Sequence, residues 1–151
     1  MSSCIVGLTG ATGAMGGEVL AHLLDSSTNL KIKILLRNAK RRYFRKYFRE
    51  LLKRGENQIE IVEGDIEDKN AVRLFINDCD YVIHCAAIIP PKADVNPKQT
   101  IAANYYGTRN IVDAIEENNQ QRNTKLVYIS TVAIYGNRDY KHPWARMGDP
   151  V

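Results

Sequence analysis

The sequence has no apolar run approaching the ~18 residues that a membrane span requires. Its opening, MSSCIVGLTG, has neither a charged leader region nor a cleavable apolar segment. Those two absences set the expectation of a cytoplasmic protein without membrane contact. Cysteine is scarce: Cys4, Cys79 and Cys85 cannot all pair with one another, and none sits in a CxxC or Cys/His spacing. A disulfide scaffold and a zinc site are thereby excluded, and the three thiols read as small buried hydrophobes in a reducing compartment. There is no internal repeat and no low-complexity tract. A length of 151 residues sets the expectation of one domain within this sequence, since independent domains cluster near roughly 100–150 residues.

Acid is lacking in one place. Residues 31–55 hold eleven Lys/Arg and a single acid, whereas the rest of the chain holds ten Lys/Arg and sixteen acids, so the net charge of +4 conceals a local excess. A basic segment of this kind suits nucleic acid, but it is also how a domain receives a phosphate-bearing cofactor. The aromatics of the segment fall on its apolar stripe, where they would be buried instead of stacking on bases, so nucleic acid is the weakest partner class.

What is present is a regular alternation. Apolar, β-rich runs at CIVGL (4–8), IKILL (32–36), IEIV (59–62), YVIHCA (81–86) and LVYIS (126–130) are separated by stretches of helical period. Met15, Val19, Leu20, Leu23 and Leu24 make one stripe; Phe44, Phe48, Leu51 and Leu52 make a second. Val72, Leu74, Phe75 and Ile76 suggest a short third helix after an Asp68 cap. Ile101, Thr108, Ile111, Val112 and Ile115 suggest a long fourth, opened by turn signals near Pro91 and Pro97. Strands that are nearly continuous apolar runs belong to a parallel sheet covered on both faces, with right-handed crossovers. The expectation is a Rossmann-like, doubly wound α/β domain over residues 1–151, with five strands in the order 3-2-1-4-5 and four helices.

TGATGAMGG follows the first strand directly and opens the first helix. In that context Gly10, Gly13 and Gly16 predict a diphosphate site. Gly10 would make the tight turn, Gly13 would let backbone N–H groups reach the anion, and Gly16 would let the helix lie close on the sheet. The positive end of the helix dipole would face the same anion, with Gly10, Thr12, Gly13, Ala14 and Met15 lining it. At the end of the second strand, where an NAD-selecting domain places an acid to hold the ribose 2′-hydroxyl, the chain reads LLRN. Arg37 there predicts NADP(H), with NAD(H) as the alternative, because a guanidinium can bind a 2′-phosphate bidentately. Arg41, Arg45, Lys46 and Arg49 read for the most part as the solvated face of a helix.

Taken together, TGATGAMG (9–16), EGDIED (63–68), HCAA (84–87), NYYGTRN (104–110) and YISTVAIYG (128–136) resemble the extended short-chain dehydrogenase/reductases. Within that superfamily the likeness is to the NAD-dependent epimerase/dehydratase and 3β-hydroxysteroid dehydrogenase type proteins, and it runs from Cys4 to Gly136. The resemblance implies that Asp65 accepts from the adenine amino group with Ile66 packing on the ring. It implies that Cys85, Ala86 and Ala87 line the ribose and nicotinamide side, although the family often has Gly where Ala87 stands. Asn104 would reach the sheet beside the cofactor, with Gly107 allowing a close helix. His84, alone on an apolar strand, reads as a satisfied core residue.

The same resemblance makes Thr131 the donor to a substrate carbonyl or alcohol oxygen, the one catalytic role it assigns here, and leaves Tyr135 in a loop. The family's general acid is a Tyr in a Tyr-x-x-x-Lys pair, in which Lys and nicotinamide lower the phenol's pKa. None of the eight tyrosines has Lys four positions on. The chain is therefore expected to be the N-terminal, cofactor-binding portion of an extended short-chain oxidoreductase acting on a small molecule, inactive alone. A homodimer would be the assembly of the full-length parent. The competing expectation is a non-catalytic NADP-binding sensor or regulatory module.

Overall fold

The computed structural model describes residues 3–26, 29–38, 46–119 and 122–131. Five parallel strands form one sheet: β1 (Cys4–Thr9), β2 (Leu30–Leu36), β3 (Ile59–Glu63), β4 (Tyr81–His84) and β5 (Lys125–Tyr128). Their spatial order is 3-2-1-4-5, as expected. β1 lies at the centre with Cys4 opposite Leu30 on β2 and Thr9 opposite His84 on β4. The strand order reverses between β1 and β4, so the carboxyl ends of these two strands flank the crevice where doubly wound sheets bind ligands.

Each crossover carries a helix: α1 (Ala14–Asp25), α2 (Lys46–Arg54), α3 (Lys69–Ile76), the short α4 (Lys92–Val95), α5 (Pro97–Ile101) and α6 (Thr108–Asn118). Ala102–Gly107, between the last two, is wound as a π-helix with helical dihedrals at both joins. The expected long fourth helix is thus one continuous rod whose middle is unwound. Its start is set by Asn96, whose side chain accepts from the Gln99 N–H, followed by Pro97 in the first turn, where proline loses no helical hydrogen bond. α3 starts as expected on Asp68, which accepts from the Asn70 and Ala71 N–H groups.

The pleat of β2 divides the core. Ile32, Ile34 and Leu36 face Leu20, Phe48 and Leu51 of α1 and α2. Leu35 faces the other way, toward Val72, Phe75, Ile76, Ile111 and Ile115 of α3 and α6. Burial of each such side chain contributes about 1.5–3 kcal/mol, so both faces are stabilised by apolar packing and the doubly wound form follows. Lys33, on the α3 face of β2, is buried with its Nζ donating to the Asn77 carbonyl just past the end of α3, a favourable place for a cation.

Four stripe assignments need correction. Met15 (58% exposed) and Leu74 (69%) stand outside the core, as do Ile101 and Val112. Gly16 and Gly17 hold α1 so close to the sheet that its buried face turns away from Met15. The apolar face of α3 is completed by Ala71, and that of the long helix begins only at Gly107, the last residue of the π segment. Phe44 lies outside the described residues. Among the described residues, no helix is long and apolar enough to cross a membrane, and no group of His, Cys, Asp and Glu could hold a metal ion.

Candidate functional site

The glycine loop is built by three close approaches. Gly10 has φ +74°, and a Cβ there would lie 2.7 Å from the Ala86 nitrogen and the Cys85 carbonyl carbon. Any side chain would therefore push β1 away from the loop after β4. Gly10 also closes the turn, its carbonyl accepting from the Gly13 N–H at 2.9 Å. At Gly16 a Cβ would fall 2.3 Å from the Gly10 oxygen, so this glycine is what lets α1 descend onto the turn. Gly13 differs: a Cβ there would meet only the Gly10 oxygen, at 3.3 Å, and otherwise open space. Gly13 is the N-cap of α1 and supplies no side-chain acceptor, so nothing from the cap residue covers the first-turn N–H groups. Thr12, Gly13, Ala14 and Met15 are all exposed around that opening. The cradle fits a diphosphate: backbone donors, a positive dipole end, and room that a side chain would fill.

At the ends of β2 and β3 the structure brings two expected site residues together. Arg37 Nε lies 3.9 Å from Asp65 Oδ2, and both side chains are accessible. Asp65 Oδ1 accepts from the Glu67 N–H at 3.1 Å, which fixes the turn after β3. Ile66 is only 7% exposed and lies under the helix, where a Cβ on Gly107 would come within 2.7 Å of it. Most of its surface is already committed to the core.

Across the crevice, Cys85–Ile88 forms the wall opposite the glycine turn. Burial raises the pKa of the Cys85 thiol, and pushes Cys79 up to about 12, so neither has thiolate character at neutral pH. Asn104 reaches this wall: its Oδ1 accepts from the Ile88 N–H at 2.7 Å and its Nδ2 donates to the Ile88 carbonyl at 2.8 Å. The Ala86 N–H donates to Thr9 Oγ1 at 3.2 Å. His84, 1% exposed, is hydrogen-bonded at both ring nitrogens, to Thr9 Oγ1 (2.6 Å) and to Thr108 Oγ1 (2.9 Å), which agrees with its reading as a satisfied core residue. Desolvation lowers its pKa to about 4. Thr9 was not singled out in the sequence, where a threonine closing a strand is commonplace, and Thr108 was read only as part of a stripe. Their positions beside His84, one on β1 and one on α6, come from the tertiary structure.

Thr131 is exposed, three residues past the end of β5, at the same edge of the sheet. Tyr135 lies outside the described residues. A second depression, of about 370 Å³, opens at the opposite edge among Ser3, Cys4, Asp80, Tyr81, Arg122, Asn123 and Lys125. There Asp80 already accepts from the Ile5 N–H and from Arg122, contacts that hold its carboxyl below the usual range. Those groups serve each other, whereas the glycine cradle faces outward, so the crevice at the carboxyl edge is the candidate functional site.

The family model described as the NAD dependent epimerase/dehydratase family matches residues 6–147. UDP-N-acetylglucosamine 4,6-dehydratase (inverting) from Campylobacter jejuni is 32% identical over 132 residues, which is 82% of this chain and 35% of that protein. The mouse 3 beta-hydroxysteroid dehydrogenase type 7 is 27% identical over 92% of this chain and 36% of its own length. The chain thus spans about a third of the length of these curated relatives. Among solved structures, the Bordetella bronchiseptica enzyme WbmH in complex with NAD+ superposes with a TM-score of 0.74 at 28% identity, covering 99% of this chain and 46% of that one. The chain belongs to the NAD-dependent epimerase/dehydratase family, within the extended short-chain dehydrogenase/reductases.

Proposed function

We propose that this member of the family is the NADP(H)-binding portion of an oxidoreductase or epimerase/dehydratase that acts, in its whole form, on an alcohol or carbonyl of a small molecule. The observation that carries the reading is the open cradle over Gly13, set at the N-terminus of α1 and opposite the Cys85–Ile88 wall where the strand order reverses. Gly10, Thr12, Gly13, Ala14 and Met15 would hold the diphosphate. Asp65 and the edge of Ile66 would hold the adenine, and Cys85, Ala86, Ala87 and Asn104 would border the ribose and nicotinamide. When bound, the nicotinamide supplies hydride donation or acceptance. What these residues do is bind and orient, and Thr131 would donate a hydrogen bond to the substrate oxygen.

Arg37 is the basis for preferring NADP(H). Its contact with Asp65, accessible on both sides and 3.9 Å long, is of the kind worth about 0–1 kcal/mol, so a dianionic phosphate can recruit the guanidinium away. Titration calorimetry on wild type and Arg37→Ala tests this. The preference for NADP(H) over NAD(H) should fall about ten-fold or more in the variant, equivalent to about 1.4 kcal/mol. Equal binding of both cofactors by wild type would refute the NADP(H) reading.

A second reading, a cofactor-binding sensor or regulatory module without catalysis, is favoured by one observation: no Tyr in the chain has Lys four positions on. Cofactor binding without turnover on any alcohol or carbonyl substrate by the whole protein would support it. A Tyr-x-x-x-Lys pair supplied elsewhere in that protein would decide for the enzyme.

A further inference from the structure

We propose that His84 is a positioning residue of the dinucleotide cleft: with its proton on Nε2 and a lone pair on Nδ1, it couples Thr9 to Thr108 and thereby fixes the Cys85–Ile88 wall against the glycine turn. The inference rests on the cofactor reading above and concerns how that site is held.

The proton order follows from counting donors. The Thr108 hydroxyl donates to the Asn104 carbonyl at 2.6 Å, and a hydroxyl has one proton. Its contact with His84 Nε2 must then be accepted by Thr108, so Nε2 carries the ring proton. In the neutral ring Nδ1 is left with a lone pair, and at 2.6 Å that lone pair accepts from Thr9. The Thr9 oxygen keeps a lone pair for the Ala86 N–H. Each donor finds an acceptor, and the chain runs from Ala86 through Thr9, His84 and Thr108 to the backbone of Asn104. The Asn104 side chain then returns to both polar groups of Ile88. The circuit closes on the wall it started from, pinning it at Ala86 and at Ile88.

Two features give this circuit a role in the cleft. Gly10 is packed so tightly on Cys85 and Ala86 that a shift of the wall must move the turn that shapes the cradle. The rod that presents Asn104 and Thr108 is π-wound over Ala102–Gly107, and such segments recur at functional sites. Thr108 gives the Asn104 carbonyl a side-chain donor in that segment. Among the described residues no charged group enters the circuit, and the His84 and Tyr128 ring centroids lie 5.7 Å apart.

The test uses the 151-residue chain with the isosteric Thr108→Val and the hydroxyl-retaining Thr108→Ser, and NADP(H) and NAD(H) as probes. ¹⁵N spectra of wild type should show the His84 ring as the Nε2–H tautomer. Thr108→Val should weaken cofactor binding about ten-fold or more and speed amide exchange at Ala86 and Ile88, while the β2 amides keep their protection. Thr108→Ser should restore both. A folded Thr108→Val that binds as wild type does, a serine variant that fails to restore binding, or an Nδ1–H tautomer would overturn the proposal. Should the valine variant not fold, the tautomer and the serine variant's affinity decide the matter. Wild type that binds neither dinucleotide would instead sink the cofactor reading, and this inference with it.

Discussion

Gly10, Gly13 and Gly16 look alike in the sequence and do three different things. A side chain at Gly10 or Gly16 meets backbone, at 2.7 and 2.3 Å, and at Gly10 the left-handed φ adds about 1–2 kcal/mol of strain. A side chain at Gly13 meets open space on the ligand side. Gly16→Ala should therefore lower the midpoint of chemical denaturation. Gly13→Val should leave the helical circular dichroism largely intact and abolish cofactor binding. A folded Gly13→Val that still binds NADP(H) with wild-type affinity would remove the loop from the site. Arg37 and Asp65 show another limit of reading residues singly: each was expected to meet a different part of one ligand, and the fold sets them beside each other, so each affects how the other meets its share.

Between residues and the whole fold, caps were easier to read than stripes. Asp68 stands three residues ahead of the apolar run that opens at Ala71, and its side chain accepts from the Asn70 N–H at 2.9 Å and from the Ala71 N–H at 3.4 Å. Asp68→Ala should cost about 1 kcal/mol, read as a lower thermal midpoint, whereas Asp68→Asn should cost less because an amide oxygen also caps. Met15, Leu74, Ile101 and Val112 misled because period alone does not say which neighbour a face will meet. The basic α2 is amphipathic as expected: Phe48 and Leu51 are buried while Lys46, Arg49, Lys53 and Arg54 face solvent. Lys46 and Arg49 thus lie on the solvated face that the sequence suggested, while Arg41 and Arg45 lie outside the described residues. The π segment was not foreseen, since nothing in AANYYG distinguishes it from ordinary helix before Asn104 is drawn to Ile88.

For the molecule as a whole, His84 links stability to pH. Its pKa is lowered from 6.5 to about 4 by burial, so the unfolded chain takes up a proton that the folded chain refuses. The stability associated with the neutral ring is complete above pH ~6.5 and is lost as pH falls from there to about 4, by up to about 3 kcal/mol. The carboxylate of Asp80, with its pKa lowered by the Ile5 N–H and Arg122, contributes a separate loss only below its ordinary value of 3.8. Urea denaturation across this range should show the slope, and His84→Gln should flatten the part between pH 6.5 and 4 while lowering stability at pH 7. A second property belongs to the sheet. β5 is its outer strand among the described residues, and Val127, Tyr128 and Ile129 are exposed there. An apolar edge of this kind invites pairing with another chain. The 151-residue chain should self-associate in light scattering, and Val127→Lys should reduce that association without changing the circular dichroism.

The amino-acid sequence by itself determined the alternation of strands and helices, the glycine-rich turn after β1 and the Asp68 cap. Each rests on neighbours in the chain: apolar period, turn residues, a polar side chain ahead of a helix. It also marked out Asn104, Asp65 and Arg37 through spaced motifs. Only the tertiary structure decided that Arg37 and Asp65 meet, that Ile66 is covered by the helix at Gly107, and that Met15 is left outside. It alone closed the circuit through Thr9, His84 and Thr108. These are contacts across 75 and 24 residues of chain. A hydroxyl at a strand end has the same local propensity whether it faces water or a buried imidazole, so only the packing of β1, β4 and α6 could set its partner.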